Sequence, residues 1–302
     1  GDGIYKTTDG GDSWQNMGLK DGERIARIVI DPKHGDTVYV AVTGHLWSAH
    51  PERGVYRTRD GGKTWQRVLF VNDDTGCADI AIDPEDPNTL YAAMWQFRRQ
   101  AWTFSSGGPG SGLYKSTDGG DTWRRLTNGL PAGDLGRIGI SVSPAKTSRV
   151  YAFVESKNSA MYRSDDKGES WTMLSTAAGV VSRPFYFAYV IADPKDPDQV
   201  YKPATGLFVS DDAGKTFSGI GGSAHGDFHD LWVNPKNSDN IITATDGGLY
   251  ISYDAGNNWV MCMTLPISQF YHVSVDMDMP YHVYGGLQDN SSWVGASRYP
   301  GG

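Results

Sequence analysis

An all-β propeller of four-stranded antiparallel blades is the fold this sequence predicts, on three observations. Aromatic residues make up 12% of the 302 residues and glycine accounts for 38, a composition that suits short strands joined by tight turns. A ten-residue motif recurs six times. Between successive copies lies a second motif with its own fixed spacing. No segment keeps a 3.6-residue apolar period over three turns, which argues against a helical solenoid.

The first motif reads YKTTDGGDSW from Tyr5, YRTRDGGKTW from Tyr56, YKSTDGGDTW from Tyr114, YRSDDKGESW from Tyr162, FVSDDAGKTF from Phe208 and YISYDAGNNW from Tyr250. Its central aspartates are Asp9, Asp60, Asp118, Asp166, Asp212 and Asp254. The second motif runs from a turn-opening residue (Asp31, Asp83, Ser143, Asp193, Asn234, Asp276) to an apolar pair ending eight residues later at Tyr39, Tyr91, Tyr151, Tyr201, Ile242 and Tyr284. Each unit then reads as four strands. The first ends at the Asp-Pro-type turn and the second carries Val-Tyr. The third carries the aromatic and the Ser/Thr, and the fourth follows the Asp-Gly turn. Six such units make residues 1–302 a single propeller region, with both ends falling mid-blade.

The net charge of −8 argues against a general nucleic-acid binder, which needs a basic footprint. No apolar run approaches the roughly 20 residues that span a bilayer. Cys77 and Cys262 are too few for a disulfide framework. The chain starts at Gly1 rather than Met, as expected of a processed chain or a segment of a longer one.

The six decapeptides resemble the Asp-box, or BNR, repeats of sialidases, sortilins and tandem-propeller xyloglucanases. The phrases TGHLW, RGVYRTRDGGKTW, AAMWQFRR, GSGLYKSTDGG and VYGGLQDN resemble the sortilin-type propeller region of large bacterial glycosyl-hydrolase-like proteins. The resemblance covers essentially the whole chain. It implies a secreted, periplasmic or cell-surface propeller that recognises or processes glycans. The alternatives are a non-enzymatic propeller of the sortilin type that binds peptide or protein, and a structural propeller within a larger assembly with flanking blades or subunits.

The box aspartates are expected to serve their own turns. A residue repeated in every blade suits the blade better than one active centre, and Asp, Gly and Trp each have a role in such a turn. Strand alternation puts the Asp-Pro turns and the boxes on one face. The loops between second and third strands, and those between blades, share the other face, where a ligand is expected.

Three constellations occupy those loops. In SAHGDFHDLWVNP (223–235), His225, Asp227 and His229 alternate, with Asp230 beside them. An extended chain projects the three to one side, where they would bind a divalent metal, act on a polar ligand or hold their own loop. No cofactor is otherwise required. Asp246 in ATDGGLY and Asp289 in GLQDN fall in corresponding loops of consecutive blades, and two carboxylates flanking a bond are a general acid and base for glycoside hydrolysis. The context of Asp246 resembles that of the catalytic aspartate of xyloglucanases. Gln288 adds a polar group next to Asp289. WQFRRQAW places Arg98, Arg99 and Trp102 in the longest loop, and Arg183, Tyr186 and Tyr271 are further candidates to hold a carboxylate or stack on a sugar.

The chain begins at a third strand and ends after a second one. Residues 265–290 would therefore supply strands one and two of a blade completed by residues 3–18, closing six blades. The competing expectation is a part of a larger propeller assembly.

Overall fold

The computed structural model describes residues 1–265 and 268–298, and the architecture is all-β apart from one short 3-10 turn at Lys20–Gly22. Strands β1 (Tyr5–Lys6) and β2 (Gln15–Asn16) form a two-stranded sheet. β3 (Ile25–Ile30), β4 (Val38–Val42), β5 (Gly54–Thr58) and β6 (Gln66–Leu69) form the first complete blade. The next is built from β7 (Thr75–Ile82), β8 (Leu90–Gln100), β10 (Gly112–Ser116) and β11 (Arg124–Leu126), with β9 (Thr103–Ser106) added to the end of β8. Three further four-stranded blades follow. They are β12 (Ile138–Val142) to β15 (Thr172–Met173) through β13 (Val150–Val154) and β14 (Ala160–Ser164), then β16 (Ile191–Ala192), β17 (Val200–Pro203), β18 (Leu207–Ser210) and β19 (Ser218–Gly219), then β20 (Phe228–Val233), β21 (Ile241–Thr245), β22 (Gly248–Ser252) and β23 (Val260–Met261). A three-stranded sheet of β24 (Phe270–Val275), β25 (His282–Leu287) and β26 (Ser292–Ala296) ends the described chain. All pairings are antiparallel and, apart from β8 with β10 past the β9 hairpin, join sequence neighbours, so each blade is a meander.

The boxes fold as expected. In all six, the Ser or Thr two residues before the aspartate donates its hydroxyl to one carboxylate oxygen, at 2.6–2.9 Å. That oxygen also accepts the backbone N–H four residues on, at 2.8–3.0 Å. The second oxygen takes the side chain of that later residue, such as Thr122 on Asp118 at 2.5 Å. The carboxylates are thus spent on their own turns. The first three boxes put glycine at the left-handed position after the aspartate, whereas the last three put Lys167, Ala213 and Ala255 there with φ of 57–60°. A side chain at that φ carries a steric cost that glycine avoids.

In the four boxes from Asp60 to Asp212, the residue after the aspartate is also a docking point. Its carbonyl accepts a basic side chain from the preceding blade. Lys6 reaches Gly61 (3.3 Å), Arg57 reaches Gly119 (2.5 Å), Lys115 reaches Lys167 (2.7 Å) and Arg163 reaches Ala213 (3.1 Å). The tyrosines of the Val-Tyr motif add to this, with Tyr39 donating to Gly119 and Tyr91 to Lys167, both at 2.8 Å. Blade-to-blade packing fills the remaining space. Ile138, Ile140 and Val142 of β12 bury against Tyr91, Ala93 and Leu113 of the preceding blade, with Trp171 over them.

The innermost strands gather around a common axis. Arg27 of β3 pairs with Asp79 of β7 at 3.0 Å, lies 3.7 Å from Asp230 of β20, and stacks 4.7 Å over the ring of Tyr189. These four residues occupy one register, four positions before the turn-opening residue. β3, β7, β20 and β24 each carry a bulge one residue earlier, at Ala26, Ala78, His229 and Tyr271. A bulge re-aims its side chain, so the simple alternation expected of 225–230 fails at His229.

Two expectations are corrected. Among the described residues the six-blade closure is not made, because β1 pairs with β2 alone and the outer edge of β25 is taken by β26. The chain therefore continues past a second strand into a third. The segment 95–112 is not a long loop either. β8 and β9 run on as a hairpin through register pairs such as Arg99 with Phe104, which places Arg98 and Arg99 on a strand and leaves Trp102 at the tip, 81% exposed. The alternation of polar and aromatic residues in WQFRRQAWTF supports that extension. Cys77 and Cys262 are unpaired.

Candidate functional site

The site forms where an inter-blade loop meets the loops between second and third strands, on the face opposite the boxes. His229, on the bulge of β20, bonds through Nε2 to Oδ1 of Asp246 at 2.5 Å. Asp246 follows β21, and its N–H donates to the Asp227 carbonyl at 3.2 Å. Asn290, from the loop after β25, donates its amide to the Asp246 carbonyl at 3.0 Å. The loop carrying Asp289 is thereby docked on the loop carrying Asp246. Asp289 has a left-handed φ of 59°.

Both aspartates line one cleft of about 1010 Å³ between β20–β23 and β24–β26, which Tyr186, Gln288 and Trp293 also line. The cleft exists because β24–β26 stands off the preceding blade. Tyr271 reaches its rim by donating to Gln288 at 2.8 Å.

An aromatic tract leads to the pair. Trp95 lies edge-on to Phe104 at 6.0 Å, Phe104 lies 5.2 Å from Phe185, and Phe185 lies 6.4 Å from Tyr186. Tyr186 and Phe187 then meet the His229 ring at 5.4 and 5.5 Å. Phe185 and Tyr186 are 37% and 46% exposed, enough to present a face to a ligand. Burial, joined by the charges of Asp246 and Asp227, raises the Tyr186 phenol above its ordinary value, so it stays a neutral donor. Arg183 contributes through its backbone, its carbonyl accepting the N–H groups of Tyr186 and Phe187 at 2.9 and 3.0 Å.

The other expected residues separate from this centre. His225 bonds to its neighbour's carbonyl at Gly226 and packs over Gly247, where an added Cβ would meet it at 2.3 Å. Asp227 has a left-handed φ of 58°. His225, Asp227 and His229 therefore do not gather as one metal-ligand set. Among the described residues the one group of three such side chains within 4.8 Å is Asp276, Asp278 and His282, on an exposed turn. Asp230 turns to the axis and Arg27. Arg98 pairs with Asp74 beside a second, smaller cavity, and Arg99 stacks on Phe104 at 5.7 Å. The sequence reading passed over Phe104, Phe185 and Phe187. The run Phe185-Tyr186-Phe187 at the end of a long inter-blade loop was the available signal.

The fold is that of a β-propeller, and the chain resembles sortilin-type propellers and glycosyl hydrolases, as the sequence motifs implied. The family model for sortilin (Vps10, neurotensin receptor 3) matches residues 2–130. A probable oligoxyloglucan-reducing end-specific xyloglucanase of Neosartorya fischeri is 24% identical over 260 residues, covering 80% of this chain and 30% of that protein. A xyloglucanase of Hypocrea jecorina is 26% identical over 268 residues, covering 82% of this chain and 26% of the relative. The chain thus spans roughly a quarter to a third of the length of these relatives. Among solved structures, an ancestral GH74 enzyme superposes with a TM-score of 0.65 at 15% identity, over 98% of this chain and 42% of that one. The GH74 xyloglucanase of Xanthomonas campestris gives 0.54 at 15% identity, over 99% of this chain and 55% of its own. These superpositions share the fold.

Proposed function

We propose that the face opposite the boxes binds an extended glycan along the Phe104–Phe185–Tyr186 tract and that Asp246 acts on it, with Asp289 as the second carboxylate. The observation that carries this reading is the meeting of the Asp246–His229 pair with the aromatic tract in a cleft that Asp289 also lines. Flat aromatic faces suit the apolar faces of sugar rings. A carboxylate fixed by an imidazole is a proton-transfer group held in one orientation. The xyloglucanase names of the relatives make branched β-glucan oligosaccharides the first substrates to try. An extracellular or cell-surface location fits such a substrate.

The test is turnover of xyloglucan oligosaccharides by the intact chain and by Asp246→Asn and Asp289→Asn. Each substitution is expected to lower the rate by about 10²–10⁴-fold with the fold retained. Retention of full activity by both variants overturns the assignment. A second reading, peptide binding without turnover, is favoured by the apolar lining of the same cleft at Leu249, Met261, Met263 and Phe270. It predicts saturable peptide binding weakened by Met261→Ser, with no glycan turnover.

A further inference from the structure

Three residues depart from their register in the repeat, and all three lead to the same stretch of backbone. Nine residues after the turn-opening residue the six units carry Val40, Ala92, Ala152, Lys202, Thr243 and Gly285. Lys202 is the one charged member, and it is fully buried. Its Nζ donates to the carbonyls of Phe187 (2.8 Å) and Pro203 (2.7 Å) and lies 4.6 Å from the Phe153 ring centroid. It makes no ion pair among the described residues. Six residues before the turn-opening residue stand Ile25, Cys77, Arg137, Phe187, Phe228 and Phe270. Arg137 is again the one charge, and its guanidinium donates to the carbonyls of Phe185 (3.2 Å) and Tyr186 (3.0 Å). Four residues before the turn-opening residue stand Arg27, Asp79, Gly139, Tyr189, Asp230 and His272. At Gly139 an added Cβ would lie 2.0 Å from the carbonyl oxygen of Ala188.

Two cations and a glycine, each exceptional at its own register, thus converge on the backbone of residues 185–188. A buried ammonium without a counter-ion is costly, so its retention calls for a gain. Burial, aided by the Arg137 charge, lowers the Lys202 amine to about 7. Its neutral form has two N–H groups for its two carbonyls. Residues 185–188 lie outside the strands and have no ladder of their own to fix them.

We infer that Lys202 and Arg137, with Gly139 leaving room beneath, are positioning residues that hold the 185–188 backbone so that Tyr186 and Phe187 stand against His229. The inference deepens the glycan reading of the same site and rests on it for its ligand-binding readout alone.

The primary measurement is the NMR signal of the His229 ring in the intact chain, which the ring currents of Tyr186 and Phe187 shift. Lys202→Met is expected to move that signal toward its free value while amide exchange of the Asp118 and Asp166 turns stays as in the parent. Arg137→Met is a second route to the same displacement, and Gly139→Ala a third should either of the others fail to fold. An unmoved His229 signal in the folded variants overturns the proposal. The second measurement is affinity for a xyloglucan oligosaccharide. Lys202→Met is expected to weaken it about five- to tenfold, the scale of one lost hydrogen bond, and to add nothing to the loss caused by Tyr186→Ala. Additive losses overturn the coupling. Absence of any glycan binding by the parent removes the glycan reading and leaves the His229 result to decide the positioning role.

Discussion

The interior blades, on one side, and the first complete blade and the last sheet, on the other, carry the same apolar positions with opposite outcomes. Three residues and one residue before the turn, β12 places Ile140 and Val142, which are 4% and 7% exposed. β24 places Val273 and Val275 at the same registers, 61% and 60% exposed, and β3 places Ile28 and Ile30, 46% and 58% exposed. The strand sequence is not the difference. β12 faces a complete blade across which Tyr91, Ala93 and Leu113 close the gap, whereas β3 faces the two-stranded β1–β2 sheet and β24 stands off its neighbour. Burial in this fold belongs to pairs of blades. The polar docking between blades follows the same boundary. It runs from Lys6 to Arg163, then stops where Val209 and Ile251 replace the basic residue.

The largest effect should come from placing a charge at matched registers. Val142→Asp buries a carboxylate without a partner and should cost about 3–5 kcal/mol, enough to threaten the fold, whereas Val275→Asp should stay within about 0.5 kcal/mol. Urea denaturation of both variants decides, and equal losses would break the comparison. Next, Arg57→Met removes the donor to the Gly119 carbonyl and the partner of Asp121 at 2.7 Å, both in an interior junction. The expected cost is about 1–3 kcal/mol, read as a lowered unfolding midpoint. The corresponding change at the Lys6 end should be smaller, since that bond is 3.3 Å long at an exposed sheet.

Acid should act through the boxes. The Thr122 hydroxyl, then the Thr122 N–H and the Ser116 hydroxyl, hold the Asp118 carboxyl down at about 2, against an ordinary value of 3.8. Asp212 is held at about 2 by Thr216 in the same way. A folded value below the unfolded one stabilises the fold above about pH 4, and that share is lost as pH falls toward 2. Asp118→Asn should flatten this limb of the pH–stability curve, and an unchanged limb would assign acid sensitivity elsewhere. The smallest effect is a gain. Ala213→Gly and Ala255→Gly relieve left-handed residues at φ of 60° and 57°, and each should stabilise by up to about 1 kcal/mol in thermal melts.

Most of the blade plan was legible in the sequence because its rules are local. The box hydrogen bonds span four residues, and the second motif needs one fixed offset from turn to tyrosine. The basic residue beside the box aromatic, at Lys6, Arg57, Lys115 and Arg163, was visible as a pattern, but its acceptor is the carbonyl of the next blade, which no spacing shows. The bulge at His229 was equally hidden. It depends on cross-strand register, and it turned an expected one-sided trio into a single histidine on Asp246. The β8–β9 hairpin is hard to read from the sequence because two arginines interrupt its apolar run. Asp246 and Asp289 were placed in corresponding loops by the repeat itself, and Asn290 supplies the contact that docks those loops together.

The docking of basic side chains onto the next box has a direction, with the donor always in the earlier blade and the acceptor always in the later one. Each donor and its acceptor lie more than one repeat apart along the chain, so no single repeat unit holds both, wherever it is cut. An excised or transplanted blade would keep its own ladder but carry a basic side chain without its carbonyl at one side and a carbonyl without its donor at the other.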